Sequence, residues 1–317
     1  MNNREVIRGM DLNRDFFHEF WEPMLKKELS PYREYMACGL VGEGSECFGF
    51  DDHFSADHDF GPGFCVFIPE KIAVDYGNII KEAYERLPYE YKGYKRINTS
   101  YGGGRVGVLV LEDFYRKFTG LKDAPSDNLQ WFKIPESYLA VATNGEVFMD
   151  AYGKFSRIRN VLKDFYPMDV LKKKLAARCA VMAQSGQYNY PRSIKRGDFQ
   201  ASFFAGHEFV KTAMSAIYLL EREYMPYYKW IFRKAEGFHN FSDALKLLKE
   251  FTILPESHDS SKLKLEIIEN VSEKIANRLR KENMTKTSDS FLQSHGEELM
   301  QSIIDDRLRS LHIMIDF

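Results

Sequence analysis

The sequence contains no Cys-x-x-Cys pair and only four cysteines in 317 residues, Cys38, Cys47, Cys65 and Cys179. That scarcity and spacing exclude a dense disulfide framework and predict free thiols in a reducing cytoplasm. No apolar run approaches about 18 residues, so no segment reads as a membrane span. The opening stretch, MNNREVIRGMDLNRD, is polar and lacks the apolar core of a secretory leader. Neither charge sign dominates: 44 Lys and Arg stand against 46 Asp and Glu, for a net charge of −2. A chain so balanced is not expected to coat extended double-stranded DNA; small substrates, short RNA ends and proteins stay open as partners. Internal repeats and low-complexity tails are also missing.

What is present supports a packed globular chain, 44% hydrophobic and 15% aromatic, long enough for two domains. Asn13 is expected to cap a helix through RDFFHEFWEPMLKKEL, with Pro23 disturbing its middle. YMACGLVGEGS reads as a buried strand breaking into a glycine turn, DHDFGPGFCVFIP as a second strand, and EKIAVDYGNIIKEAYERL as a helix. YKRINTS, RVGVLVL and GEVFMD read as further strands, and LEDFYRKFTG as a short helix. After about residue 155 every apolar segment repeats at helical spacing. The expected fold is α+β: a small mixed-sheet domain over residues 1–155, followed by an all-helical bundle over residues 156–317.

The segment GEGSECFGFDDHFSADHDFGPG, residues 42–63, concentrates six acids, two histidines and a cysteine between glycine turns. On a strand, alternate residues share a face, so Asp57 and Asp59 would present two carboxylates together while His58 points away. Paired carboxylates repel unless a cation lies between them, and hard oxygen donors suit Mg²⁺, which usually shares such a pair with substrate phosphates. Upstream, Gly44 lets the backbone approach an anion, and Ser45 with neighbouring N–H groups suits phosphate. Asp51 and Asp52 are expected in a loop that shapes the site, and Glu43 and Glu46 in solvent. The bland alternative for Asp57 and Asp59 is a solvated acidic turn.

The order of features resembles the signature of the DNA polymerase β-like nucleotidyltransferase superfamily: a hydrophobic strand, Gly-Ser, eleven residues, Asp-x-Asp, then the apolar FCVFI. Together with NGEVFMDAYGKFSRIRNVLKDFYPMDV and LLEREYMPYYKWIFR, these segments look like a bacterial nucleotidyltransferase-like family known only as a domain of unknown function, over residues 35 to 235. In architecture the chain is similar to the aminoglycoside, streptomycin and lincosamide nucleotidyltransferases and to the minimal nucleotidyltransferases of toxin–antitoxin pairs. The resemblance implies an enzyme that moves NMP from ATP or another NTP onto a hydroxyl. The acceptor would be an antibiotic-like small molecule, a tRNA or a protein. It implies that Asp57 and Asp59 hold Mg²⁺, or Mn²⁺ in its place.

The pattern departs from the superfamily at the third acid. RVGVLVL carries no carboxylate at its centre, and Glu112 and Asp113 read as the start of a helix. Asp150, ending EVFMD, is the candidate base or metal ligand; its alternative is a turn residue opening DAYG. A missing third acid would leave a nucleotide-binding or regulatory module without efficient transfer. Lys229, between aromatics in PYYKWIFR, is a candidate triphosphate contact, or a snorkelling surface lysine beside packed Tyr228 and Trp230. Arg192 lies in GQYNYPRSIKRGD, read as a basic, aromatic loop between two helices that grips phosphate or merely turns the chain. YGGGR lacks the G-K-[ST] of a Walker loop and reads as a tight strand connection that would place Arg105 near phosphate. His53 and His58 lie near the acids, but the strand setting weighs against an HD-type phosphohydrolase. His207, inside a helix, reads as a core or interface histidine.

Overall fold

A computed structural model of the chain describes residues 7–54, 60–96 and 104–317. The fold is α+β, and it divides into two compact units. The first comprises residues up to 124 together with 138–164; the second comprises 125–137 and 165–317.

The first unit is built on a four-stranded mixed sheet of order β5-β2-β1-β6. Its strands are β1 (Ala37–Leu40), β2 (Cys65–Ile68), β5 (Gly107–Val110) and β6 (Glu146–Asp150). A small hairpin, β3 (Glu90–Tyr91) and β4 (Tyr94–Lys95), stands apart. β1 and β2 are buried along their whole length, so both faces of the sheet are covered there, and both strands read as unbroken apolar runs. β1 runs antiparallel to β2 and to β6, and β2 runs parallel to β5.

Side chains alternate along β2. Phe64, Val66 and Ile68 join a core with Phe16, Phe17, Trp21, Met36, Ile80 and Tyr84. Phe67 faces the other way, stacked on Phe155 at 4.4 Å between ring centroids and edge-on to Phe114 at 4.9 Å. The Tyr84 hydroxyl donates to the Phe64 carbonyl at 2.8 Å and accepts from the Phe64 N–H at 3.0 Å, which fixes the chain where it enters β2.

One expectation for the first helix needs correction. Asn13 does not cap a helix; the helix runs Gly9–Phe16 with Asn13 inside it, and the cap at its start is supplied by Asp51, whose Oδ2 accepts from the Gly9 N–H at 2.7 Å. Asn13 instead spans to Gly63, whose N–H donates to its Oδ1 at 2.5 Å, while its Nδ2 donates to the Gly9 carbonyl. Pro23 does disturb the helix, though without breaking it. The helix widens into a π turn over Phe17–Trp21 just before Glu22–Leu25, absorbing the missing N–H and the ring's clash with the carbonyl four residues back.

The boundary expected at residues 155/156 falls inside a helix, Lys154–Lys163, that packs with the first unit. Phe155 anchors it to the sheet. Arg159 anchors it further along, donating to the carbonyls of Thr143, Asn144 and Gly145 at 2.7, 3.0 and 2.8 Å.

The second unit is helical throughout its longer elements: Met168–Met182, Phe199–Leu220, Ser242–Ile253, His258–Lys281 and Leu292–Gln301. The helix Phe199–Leu220 is central; from Phe209 onward all but one of its residues are buried, as expected of a helix apolar on every side. GQYNYPRSIKRGD is not an interhelical loop. A π turn over Ala183–Asn189 leads directly into the helix Tyr190–Lys195, with Pro191 in the first turn, where no N–H is needed. Gly186 serves a helix crossing rather than a turn, because a Cβ there would overlap the Phe209 ring.

Candidate functional site

The antiparallel pairing of β1 with β2 brings the end of β1 and the start of β2 to one end of the sheet. There the chain leaves β1 through Val41 and the glycine turn 42–45. Gly42 and Gly44 adopt φ of 105° and 133°, which side-chain-bearing residues rarely enter. The turn is pinned by Asn144, which accepts from the Gly42 N–H at 2.9 Å and donates to the Gly42 carbonyl at 2.7 Å. Half-buried Ser45 opens a short 3₁₀ turn, Glu46–Phe48. The N–H groups of Gly44 and Ser45 donate to no described residue.

Asp57 and Asp59 lie outside the described residues, as does His58. Their described neighbour Phe60 is fixed at the same end of the sheet. A Cβ built on Gly9 would meet Glu46 at 2.8 Å and the Phe60 ring at 3.1 Å, so the turn after β1 and the residue after Asp59 converge on one glycine.

The cations and acids around the turn are paired. Arg105, just before β5, donates through Nη2 to Glu46 at 2.5 Å and through Nε to the Glu43 carbonyl at 3.0 Å. Lys117 holds the Glu43 carboxylate at 2.6 Å. Glu43 is exposed as expected, in a surface ion pair, whereas Glu46, also expected in solvent, is mostly covered. A cavity of about 490 Å³ toward Tyr84 and one of about 280 Å³ toward Phe114 both border Gly104, Arg105, Val108 and Leu109.

Glu146, at the start of β6 opposite Leu40, is the strand carboxylate at this end of the sheet. Arg14 holds it with two bonds, at 2.8 and 2.5 Å, and these bonds keep its carboxyl below the usual range. Asp150 stands at the other end of β6, opposite Ala37. Its Oδ1 accepts from the Gly153 N–H and its Oδ2 from the Ser156 N–H, each at 2.7 Å, so both oxygens serve the turn and the start of the next helix. The structure therefore does not bring Asp150 together with Gly44 and Ser45. Glu112 and Asp113 occupy the first turn of the helix Leu111–Thr119. Burial alone would raise the Glu112 carboxyl, but the bonds from Lys154 at 2.7 Å and from the Glu70 N–H at 2.9 Å outweigh it, and its pKa falls.

Lys229 and Arg192 belong to the second unit. Lys229 is exposed on a 3₁₀ turn, Tyr228–Trp230, with its ammonium 4.8 Å from the Trp230 ring. Tyr228 is exposed rather than packed in the bundle. Arg192 is exposed on the helix Tyr190–Lys195, donating to the Tyr188 hydroxyl and lying over that ring. His207 is exposed on its helix beside Phe203, not in the core.

Sequence reading missed the buried cations of the helix Met168–Met182. Lys173 donates to the carbonyls of His312, Ile313 and Ile315 at 3.3, 3.0 and 2.7 Å. Lys174 pairs with Asp316 at 2.8 Å, and Arg178 pairs with Glu136 at 2.8 Å and also with Asp316. KKK inside an apolar-spaced helix was the available signal, since a regular surface face leaves room for one or two of three consecutive lysines.

Comparison with known proteins adds one match. The family described as Domain of unknown function (DUF4037) matches residues 131–231. No curated protein and no solved structure matches the chain. Among the described residues, no helix is long and apolar enough to cross a membrane.

Proposed function

We propose that the first unit binds a nucleoside triphosphate and transfers NMP to an acceptor hydroxyl. The observation that carries this reading is the convergence at one end of the sheet. The glycine turn with Gly44 and Ser45, the guanidinium of Arg105, and the chain that has just passed Asp57 and Asp59 all meet beside a cavity of about 490 Å³. Nucleotidyl transfer needs a phosphate grip and paired carboxylates as neighbours.

Among the described residues, no group of three His, Cys, Asp or Glu side chains is placed to hold a metal ion. Glu46 is committed to Arg105, and one oxygen of Asp51 to the Gly9 N–H. On the nucleotidyltransferase reading, the carboxylates of Asp57 and Asp59 would be the hard donors that hold Mg²⁺ or Mn²⁺. When bound, the ion supplies charge neutralisation on the triphosphate and the leaving pyrophosphate. The protein's own part is positional. The backbone N–H groups of Gly44 and Ser45 orient phosphate oxygens, and the Asn144 clamp on Gly42 holds the turn in shape for them. The acceptor is an antibiotic-like small molecule, a tRNA or a protein.

A second reading is favoured by the commitment of Asp150 to its turn and by the lack of a carboxylate on β5. It is a nucleotide-binding or regulatory module with little transfer. One experiment separates the two: purified protein with Mg²⁺ and each α-phosphate-labelled NTP, with and without cell extract, resolving small molecules, RNA and protein. Label entering one fraction supports transfer and names the acceptor class. Saturable NTP binding with label in no fraction supports the module.

A further inference from the structure

Arg105 is placed unlike the other cations of the first unit. Its guanidinium lies over Gly44 so closely that a Cβ there would overlap Nη2 and stand 2.5 Å from Glu46 Oε1. The φ of 133° is what calls for glycine here, since the guanidinium and the carboxylate are side-chain ends that could shift. The side chain is about one-fifth exposed and the Glu46 carboxylate still less. Arg105 borders both cavities, Glu46 borders the larger one, and the adjoining N–H groups of Gly44 and Ser45 donate to no described residue.

Resting on the reading of this unit as a nucleotide site, we propose that Arg105 grips the polyphosphate of the substrate and that Glu46 stands in for that anion until it arrives. Entry of a polyphosphate exchanges one partner of the guanidinium for another. The planar guanidinium binds a phosphate through two parallel bonds, and a multiply charged phosphate is a stronger partner than one carboxylate. The Nε bond to the Glu43 carbonyl keeps Arg105 on the turn during the exchange, so the N–H groups of Gly44 and Ser45 and the guanidinium act on one anion. The ion pair with Glu46 also screens an uncompensated cation beside the cavity when no anion is present, and it raises the threshold for weakly charged ligands.

The test is calorimetric titration of the full chain with inorganic tripolyphosphate, for the wild type, Glu46→Gln, Arg105→Lys and Arg105→Ala, each with its melting temperature measured. Glu46→Gln is expected to bind up to about fivefold more tightly than the wild type, the scale of a partly exposed ion pair. Arg105→Ala is expected to lose at least about tenfold, and Arg105→Lys to fall between, because it keeps the charge without the fork. Tripolyphosphate binding that is unchanged in folded Arg105→Ala, weakened in Glu46→Gln, or missing from the wild type overturns the proposal. If the expected order of affinities appears but no NTP is ever consumed, Arg105 retains its role and nucleotidyl transfer fails. If transfer proceeds normally in Arg105→Ala, transfer stands and the role of Arg105 fails.

Discussion

At the scale of single residues, the site is held by contacts that only one side chain can make. Gly39 is the sharpest case: a Cβ there would overlap the Glu146 carbonyl and stand 3.0 Å from the Val147 Cα, so β1 and β6 approach closely only because position 39 is bare. Gly39→Ala is expected to destabilise the first unit by about 2 kcal/mol or more, as overpacking against backbone does; urea unfolding measures it, and a midpoint equal to the wild type's would refute the close approach. Asp150→Ala is expected to cost about 1 kcal/mol, the usual value of a lost cap, with transfer rates within a few-fold of wild type. A large fall in rate at unchanged stability would return Asp150 to the role of base. The thiols give a pH test. Burial pushes Cys65 and Cys179 up to about 12 from 9.0, and Cys38 and Cys47 also rise. A thiol that ionises more readily when unfolded contributes stability below pH 9 that is lost as pH climbs toward 12. Buried Tyr84 and Tyr115 act in the same direction above pH 10. Lys173, lowered by burial to about 8, opposes them between there and its ordinary 10.5. The melting temperature is expected to be lower at pH 10.5 than at pH 8, and all four thiols to resist a thiol reagent until the chain unfolds.

At the scale of elements, what the sequence revealed depended on whether a pattern was local. β1 was legible, and so was β2 over Cys65–Ile68, because strands buried on both faces are unbroken apolar runs, whereas Phe60–Phe64, expected in the same strand, is irregular. The helices of the second unit were legible from their 3.6-residue spacing. Asn13 and Gly186 misled because their usual local roles, cap and turn, are overridden by distant partners, Gly63 for Asn13 and Phe209 for Gly186; Pro191 misled because a proline in a helix's first turn looks the same in sequence as one in a loop. At the candidate site, the Gly44-Ser45 turn was legible, whereas the pairs Glu46–Arg105 and Glu146–Arg14 link residues 59 and 132 apart, and no motif encodes them. The buried cations of the helix Met168–Met182 belong to the same class. Lys174 is fully buried and Asp316 nearly so, so Asp316→Ala leaves Lys174 without its carboxylate and Arg178 with Glu136 alone, and is expected to cost about 3 kcal/mol. A loss of less than about 1 kcal/mol by chemical denaturation would show that water replaces the carboxylate there.

At the scale of the whole molecule, function is assigned to one of two units. The glycine turn, Arg105 and the segment leading into β2 are all in the first; Arg192 and Lys229 are in the second, and the family match over residues 131–231 draws on both. The double variant Arg192→Ala, Lys195→Ala is therefore expected to leave the affinity for NTP unchanged, which calorimetric titration measures. A loss of NTP affinity would mean that the second unit also reads the nucleotide. The central claim, nucleotidyl transfer through Asp57 and Asp59, is tested most directly by the Mg²⁺-dependent rate of label transfer from an α-phosphate-labelled NTP. The wild type is compared with an Asp57→Asn, Asp59→Asn double variant shown by its melting curve to be folded. Nucleotidyl transfer predicts a measurable rate in the wild type and background in the double variant. An equal rate in both, or transfer by neither while NTP still binds, would contradict it.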